Sequence, residues 1–369
     1  MRYFPQNYRS ARDAFKKAVK EAGGILNSHI HDDVGPEGEQ LAVDTGWFGA
    51  RDASNVLVVV SGTHGLEGYA GSGCQVAWLS NARIHELPES LAVLMVHALN
   101  PWGMAYRRRC TEDNIDLNRN FMDWSMGLPE NVNYAQIHAH LCPPELQGAM
   151  RDAADAALDT YSQENGEQAF NLAVYSGQYS HPDGLMFGGQ ESCWSRQIAE
   201  RILNDELALA TNVCLIDIHT ALGPYHYGTP IALHSAGSEG LARARKWFGD
   251  SLMAPLDKPK SATENEVAQI TGTFIQYAEV ILDSELTAIA LEFGTYPEEG
   301  VLPTFRNEHF LWQHGCEAET AEAIKNQLLW FFYPRVDAWI DMVWFRFQQV
   351  TCQAIAGLVS LSRTNQGNP

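Results

Sequence analysis

With 369 residues, 45% of them apolar and 19% charged, the chain has the make-up of a globular protein, large enough for one big domain or two ordinary ones. The 25 basic and 45 acidic residues leave a net charge of −20, which disfavours nucleic acid or an anionic membrane as partner, since both require clustered Lys and Arg. The seven cysteines are scattered and form no Cys-x-x-Cys pair, so they read as reduced packing residues of a cytoplasmic protein rather than a disulfide frame or a thiolate metal site.

The first six residues, Met1-Arg2-Tyr3-Phe4-Pro5-Gln6, lack the apolar core and cleavage site of a secretory signal. No run of about 18 uncharged apolar residues is present to span a membrane. Ser10 to Ala22 reads as a short amphipathic helix with Ser10 as its cap. Ile25–His31 and Gln40–Trp47 alternate around a Gly/Pro turn and predict an antiparallel edge pair. Asn55-Val56-Leu57-Val58-Val59-Val60 is a continuous β-branched run, the pattern of a strand buried on both faces. It leads through Ser61-Gly62-Thr63-His64-Gly65-Leu66-Glu67-Gly68 into a helix near Tyr69–Leu79, and Leu91 to Ala98 is a second buried strand. Helical patterns then dominate at Tyr134–Leu141, Pro144–Tyr161 and Ser192–Leu203, interrupted by the loop Tyr179–Gly184. Strand patterns return at Val213–Ile218, Thr229–His234 and Leu286–Phe293, with helices near Glu239–Phe248 and Gly272–Ile281. His309 to Ser360 reads as two long helices broken at Pro334.

Strands alternating with helices predict an α/β/α sandwich around a mixed, mainly parallel twisted sheet. The expected organisation is one catalytic unit over 1–335, with a mainly helical insertion within about 122–209 and a helical extension at 336–369. In such sheets ligands gather at the carboxyl ends of the strands. That is where His64 and Glu67 stand, an imidazole and a carboxylate three residues apart and able to grip one divalent metal ion. His219 closes another buried strand and is the best third ligand, with Asp217 two residues earlier on the same strand face to orient an imidazole. Glu292 ends the apolar strand Thr287–Phe293, where a desolvated carboxylate suits proton abstraction. Arg109 and the segment Asp116-Leu117-Asn118-Arg119-Asn120-Phe121 add guanidinium forks able to bind carboxylates or a developing oxyanion. Core packing of each histidine and surface solvation of each arginine account for these features one by one; a metal site accounts for them together.

In order and spacing, His64-x-x-Glu67, Asp116-Leu117-Asn118-Arg119-Asn120-Phe121, His219 and Leu291-Glu292-Phe293-Gly294 resemble the zinc carboxypeptidase superfamily, over roughly residues 50 to 300. The segment from Asp116 and the Asp-x-His at 217–219 are also similar to its aspartoacylase and succinylglutamate desuccinylase branch. The resemblance implies one zinc ion held by His64, Glu67 and His219, with Glu292 as general base assisting attack of water activated at the metal. It further implies that Arg109 polarises the scissile carbonyl and that Asn118 and Arg119 grip the substrate carboxylate. The implied activity is a metallocarboxypeptidase acting on a small peptide. An N-acyl-amino-acid deacylase presents the same carboxylate, and a catalytically silent binding relative is a third reading. One departure stands out: near Thr271-Gly272-Thr273 there is no tyrosine where these peptidases carry a substrate-binding one, and only Tyr277 follows. A metal-dependent amidohydrolase barrel, suggested by His29-Ile30-His31, is disfavoured because that strand is polar and no eightfold βα pattern follows. No Gly-x-Ser-x-Gly elbow and no phosphate loop occur.

Overall fold

In the computed structural model, which describes residues 2–81, 84 and 87–366, the apolar runs assemble into one seven-stranded sheet. Its strands are β1 (Ile25–Val34), β2 (Gln40–Phe48), β3 (Asn55–Ser61), β4 (Leu91–His97), β5 (Asn212–Ala221), β6 (Gly228–Ile231) and β7 (Glu285–Gly294), in the spatial order β1-β2-β4-β3-β5-β7-β6. Neighbours among β4, β3, β5 and β7 pair in parallel, whereas β1–β2, β2–β4 and β6–β7 are antiparallel. The sheet is therefore mixed, with its parallel part at the centre. Every residue of β3, β4 and β5 is buried, as strands covered on both faces must be.

The helices, in chain order, are α1 (Tyr8–Glu21), α2 (Gly68–Ser80), α3 (Pro101–Tyr106), α4 (Leu117–Asn120), α5 (Val132–Leu141), α6 (Ala149–Asn165), α7 (Glu167–Tyr175), α8 (Trp194–Leu207), α9 (Glu239–Phe248), α10 (Ala262–Val267), α11 (Phe274–Ile281), α12 (Val301–His314), α13 (Ala318–Phe332) and α14 (Asp337–Gln366). Strand alternation divides the core in two. Leu57 and Val59 point into a cluster with α1, α2, α9, α13 and α14. Val56, Val58 and Val60 point into a second cluster with α8 and α11. The last helix is part of the first layer: Val343, Phe347, Val350, Ala354 and Leu358, at helical spacing, have no exposed surface. The Trp339 indole N–H also donates to the Gly294 carbonyl at 2.9 Å, tying α14 to the end of β7.

Several local expectations are corrected. The cap of α1 is Asn7, whose side chain accepts from the Ser10 backbone while the Ser10 hydroxyl reaches back. Over His309–Ser360 the expected break at Pro334 separates α13 from α14, but His309 belongs to a further helix, α12, which Gly315, at φ 68°, closes in the left-handed region. The helix after Pro144 starts only at Ala149, and α7 was not anticipated. Within 122–209, α5, α6 and α7 pack on one another and are pinned to α12. Arg306 donates to the carbonyls of Leu141 and His140 and pairs with Asp155. Met1 and the last three residues of the 336–369 extension lie outside the described residues. No described helix is long and apolar enough to cross a membrane.

Candidate metal centre and its cleft

The chain leaves β3 through Gly62, whose φ of 75° is open to glycine and strained for other residues. The next turn is stitched to the arginine segment by two backbone bonds, Gly65 N–H to the Arg109 carbonyl (3.2 Å) and Leu66 N–H to the Arg108 carbonyl (3.0 Å). The approach is so close that a Cβ on Gly65 would lie 2.1 Å from the Gly103 carbonyl carbon. Backbone packing thus sets His64 and Glu67 beside Arg109. His219 lies near the end of the adjacent strand β5, and Glu292 is its direct partner in register on β7.

His64, Glu67 and His219, all buried, bring ligand atoms within 4.8 Å of one another. His64 Nε2 lies 3.1 Å from Asp116 Oδ1, and His219 Nε2 lies 2.6 Å from Asp217 Oδ2. A carboxylate on Nε2 holds the ring proton there and turns the Nδ1 lone pair the other way. The two Nδ1 atoms face each other at 3.3 Å, with Glu67 Oε1 2.9 Å from one and Oε2 3.2 Å from the other. Two imidazole nitrogens and a carboxylate converging in a buried space form a mixed nitrogen and oxygen donor set that fits a divalent metal ion. The same carboxylates favour positive charge on His219. Burial opposes its charge, but Asp217 and Glu67 raise its pKa well above the ordinary value. Burial likewise opposes charge on Glu67, yet the imidazoles of His64 and His219 hold its carboxyl below the usual range.

Asp116, named at the sequence level only as part of its segment, is the organiser that was missed. One carboxylate oxygen holds His64 and accepts from the Asn118 N–H at 3.0 Å; the other accepts from Arg109 Nε at 2.9 Å. Burial would raise its pKa, but Arg109 and His64 hold it well below the carboxylate range. The signal was an Asp capping a short helix two residues before Asn118. Asp217 is fixed in turn by the Thr63 hydroxyl at 2.7 Å.

A cavity of about 900 Å³ adjoins this group, lined by His64, Arg109, Asn118, Arg119, His219 and Glu292 and by residues of α6, α7, α10 and α12. Burial pushes the Glu292 carboxyl up to about 8; His219 pulls against that and Glu67 adds to it, and Oε2 has no hydrogen-bond partner. A pKa shifted toward neutrality suits a group that must both take up and give back a proton. Arg119 donates to the carbonyls of Asn118 (2.9 Å) and Tyr175 (2.8 Å), and its buried Nε is unpartnered. Asn118 turns its Oδ1 to the Phe274 N–H at 2.9 Å. Of the Arg107–Arg109 run, only Arg109 faces the cavity. Arg107 pairs with Glu322, and the buried Arg108 pairs with Glu308. Tyr277 packs on Phe121 and under Arg196, away from the cavity lining.

Fold and site together define an α/β protein of the zinc carboxypeptidase-like fold. The crystal structure of carboxypeptidase A from Helicoverpa armigera superposes with a TM-score of 0.53 at 11% identity, covering 97% of this chain and 74% of that one. A metallo-carboxypeptidase from Pseudomonas aeruginosa matches at 0.44 and 11%, over 96% and 71% of the two chains. The succinylglutamate desuccinylase from Chromobacterium violaceum matches at 0.38 and 14%, over 88% and 74%. By sequence, residues 4–346 match the model of a family described as protein of unknown function, DUF2817, and the chain belongs to that family. No curated protein matches it by sequence.

Proposed function

We propose that this protein is a zinc-dependent hydrolase of the carboxypeptidase type, cleaving an amide bond next to a free carboxylate. The observation that carries the reading is the convergence of His64, Glu67 and His219, each imidazole backed by a carboxylate, directly beside the unpartnered Glu292. His64 Nδ1, His219 Nδ1 and the Glu67 carboxylate would hold the ion. A zinc ion there supplies Lewis acidity, polarising a carbonyl and lowering the pKa of water.

The chain's own groups do the rest. Glu292 takes a proton from the attacking water and returns it to the leaving amine, a role that its raised pKa suits. Arg109, held by Asp116 and by Glu67 at 3.2 Å, offers its guanidinium to the carbonyl oxygen as charge develops. Arg119 and Asn118 take the substrate carboxylate; the buried guanidinium donates only to carbonyls and has donor capacity left at Nε. The chain works as one unit in which the 122–209 insertion lends residues of α6 and α7 to the lining of the cleft.

The test is Glu292→Gln, with zinc content measured alongside activity on peptides with a free C-terminus. The expected outcome is retained zinc and a kcat lower by about 10²–10⁴-fold, the usual contribution of a general base. Near wild-type kcat with zinc bound overturns the mechanism. A zinc-loaded wild type that binds these peptides but hydrolyses no amide points instead to a silent binding relative.

A further inference from the structure

The apolar walls of the cavity belong to two clusters on opposite faces of the sheet. On β5, Cys214, Ile216 and Ile218 point into the first cluster, Val213 and Leu215 into the second. On β7, Ala288 and Ala290 lie with the second, and alternation puts Glu292 on their face. That side of the cavity is walled by Ile231, Leu233 and Ile275. Ile275 follows Phe274, whose N–H is bonded to Asn118, so this is the side where Asn118 lies. Thr220, two residues beyond Ile218, turns to the other face. There the walls are Val301, Leu302 and Phe305 of α12 and Phe332 of α13, with the rings of Phe305 and Phe332 stacked at 5.4 Å. The Arg109 guanidinium sits over the Phe305 ring, 5.5 Å from its centroid. With Arg109 at the carbonyl oxygen, as proposed above, Phe305 and Phe332 stand on the amino side of the scissile bond.

One polar group interrupts this second wall. Thr220 is 1% exposed and lines the cavity, yet its hydroxyl has no hydrogen-bond partner. The residue is fixed beside the metal ligands, because its backbone N–H donates to Glu67 Oε2 at 3.0 Å and Glu67 Oε1 accepts from Arg109 at 3.2 Å. A buried hydroxyl without a partner is destabilising, and a ligand amide placed against it removes that cost. Arg306, the residue after Phe305, is paired with Asp155, and so is Arg151; a carboxylate on the acyl group would find neither free.

We propose that the substrate carries, on the amino side of the scissile bond, a peptide unit with a bulky apolar side chain. That side chain packs against Phe305 and Phe332, and the backbone N–H of the same unit donates to the Thr220 hydroxyl oxygen. This rests on the hydrolase reading above and adds the part of the substrate which that reading leaves open. It favours peptides over simple N-acyl amino acids, which have no N–H at that place, and over acyl groups ending in a carboxylate.

The experiment is calorimetric binding to zinc-loaded Glu292→Gln protein of Ac-Phe-Leu, Ac-Ala-Leu, Ac-Asp-Leu and 3-phenylpropanoyl-Leu, the last being the first without its acetamido group. Ac-Phe-Leu is expected to bind about tenfold or more tighter than Ac-Ala-Leu, the scale of burying an aromatic side chain, and Ac-Asp-Leu no tighter than Ac-Ala-Leu. Phe305→Leu should shrink the preference for Phe over Ala about twofold or more, the scale of one aromatic pair. Thr220→Val, nearly equal in size, should weaken Ac-Phe-Leu about 2–12-fold, the scale of one hydrogen bond, and spare both 3-phenylpropanoyl-Leu and zinc content. Thr220→Ser should restore the loss. Equal binding of Ac-Phe-Leu and Ac-Ala-Leu, tighter binding of Ac-Asp-Leu, or the same Thr220→Val loss on 3-phenylpropanoyl-Leu overturns the proposal. A wild type that binds in the expected order but cleaves none of the four overturns the hydrolase reading and leaves the apolar site standing. Binding of none overturns both.

Discussion

Asp217 and Asp116 decide which nitrogen each imidazole turns toward Glu67, so their effect is on affinity for an ion rather than on its immediate geometry. Asp217→Asn keeps the shape and the Thr63 contact but removes the charge that holds the His219 proton in place. Zinc affinity should fall about 10–100-fold, the usual effect of removing such a partner. Competition with a chelating indicator dye measures this, and unchanged affinity would show that Asp217 does not act through His219. Arg119→Ala addresses the substrate. Losing a charge-assisted pair of about 1.5–3 kcal/mol should raise KM for carboxylate-ended substrates about 10–100-fold while sparing zinc content. An equal loss on amidated substrates would mean that Arg119 supports only the backbone it touches, at Asn118 and Tyr175.

Between β3 and α2, the turn bearing His64 and Glu67 is held by backbone rather than by side chains. Gly65 N–H and Leu66 N–H are bonded to the arginine segment, and the Gly103 backbone fills the space that a side chain on Gly65 would need. Gly65→Ala must therefore push α3 and the turn apart. A loss of about 1–3 kcal/mol, the usual result of overpacking, is expected in the urea unfolding midpoint. Because the strain falls on the turn, zinc affinity should drop with it. A variant as stable and as metal-tight as wild type would show that the two segments move freely, contrary to their bonding. Among the other elements, those with clean periodicity were legible beforehand: β3, β4, β5, β7, α2 and α9. The break at Pro334, between α13 and α14, was legible too; the one at Gly315 was not, because glycine at a helix end and glycine tolerated within a helix look alike until the backbone is seen.

Across the whole molecule, two buried histidines make stability depend on acid. His97, sealed under α1 and stacked on Phe15 at 4.5 Å, and His309, donating to the Asp183 carbonyl at 2.7 Å, are held down to about 4, in both cases chiefly by burial. In the unfolded chain each titrates near 6.5. Between pH ~6.5 and ~4 the unfolded state therefore binds more protons than the native state, and native stability falls as pH falls, by up to about 1.4 kcal/mol per pH unit for each group. Above pH ~6.5 both forms are neutral and the dependence vanishes. Urea midpoints at pH 7 and pH 5 for wild type and His97→Gln check this: the variant should lose less stability on acidification, and parallel losses would refute it.

The local signals were strong enough to establish the strands, the placement of His64, His219 and Glu292 at strand ends, and the shared face of Asp217 and His219. Those properties follow from the period of a single strand or turn. Tertiary structure alone decided the partners. His64 meets Asp116 across 52 residues and Glu67 meets His219 across 152, separations at which no periodicity operates. The same holds for the role of the 122–209 region. Its helices were visible in part, but their place beside the cavity depends on Arg306 and Asp155 meeting across 151 residues. Local sequence sets what a residue can do; packing sets what it does it to.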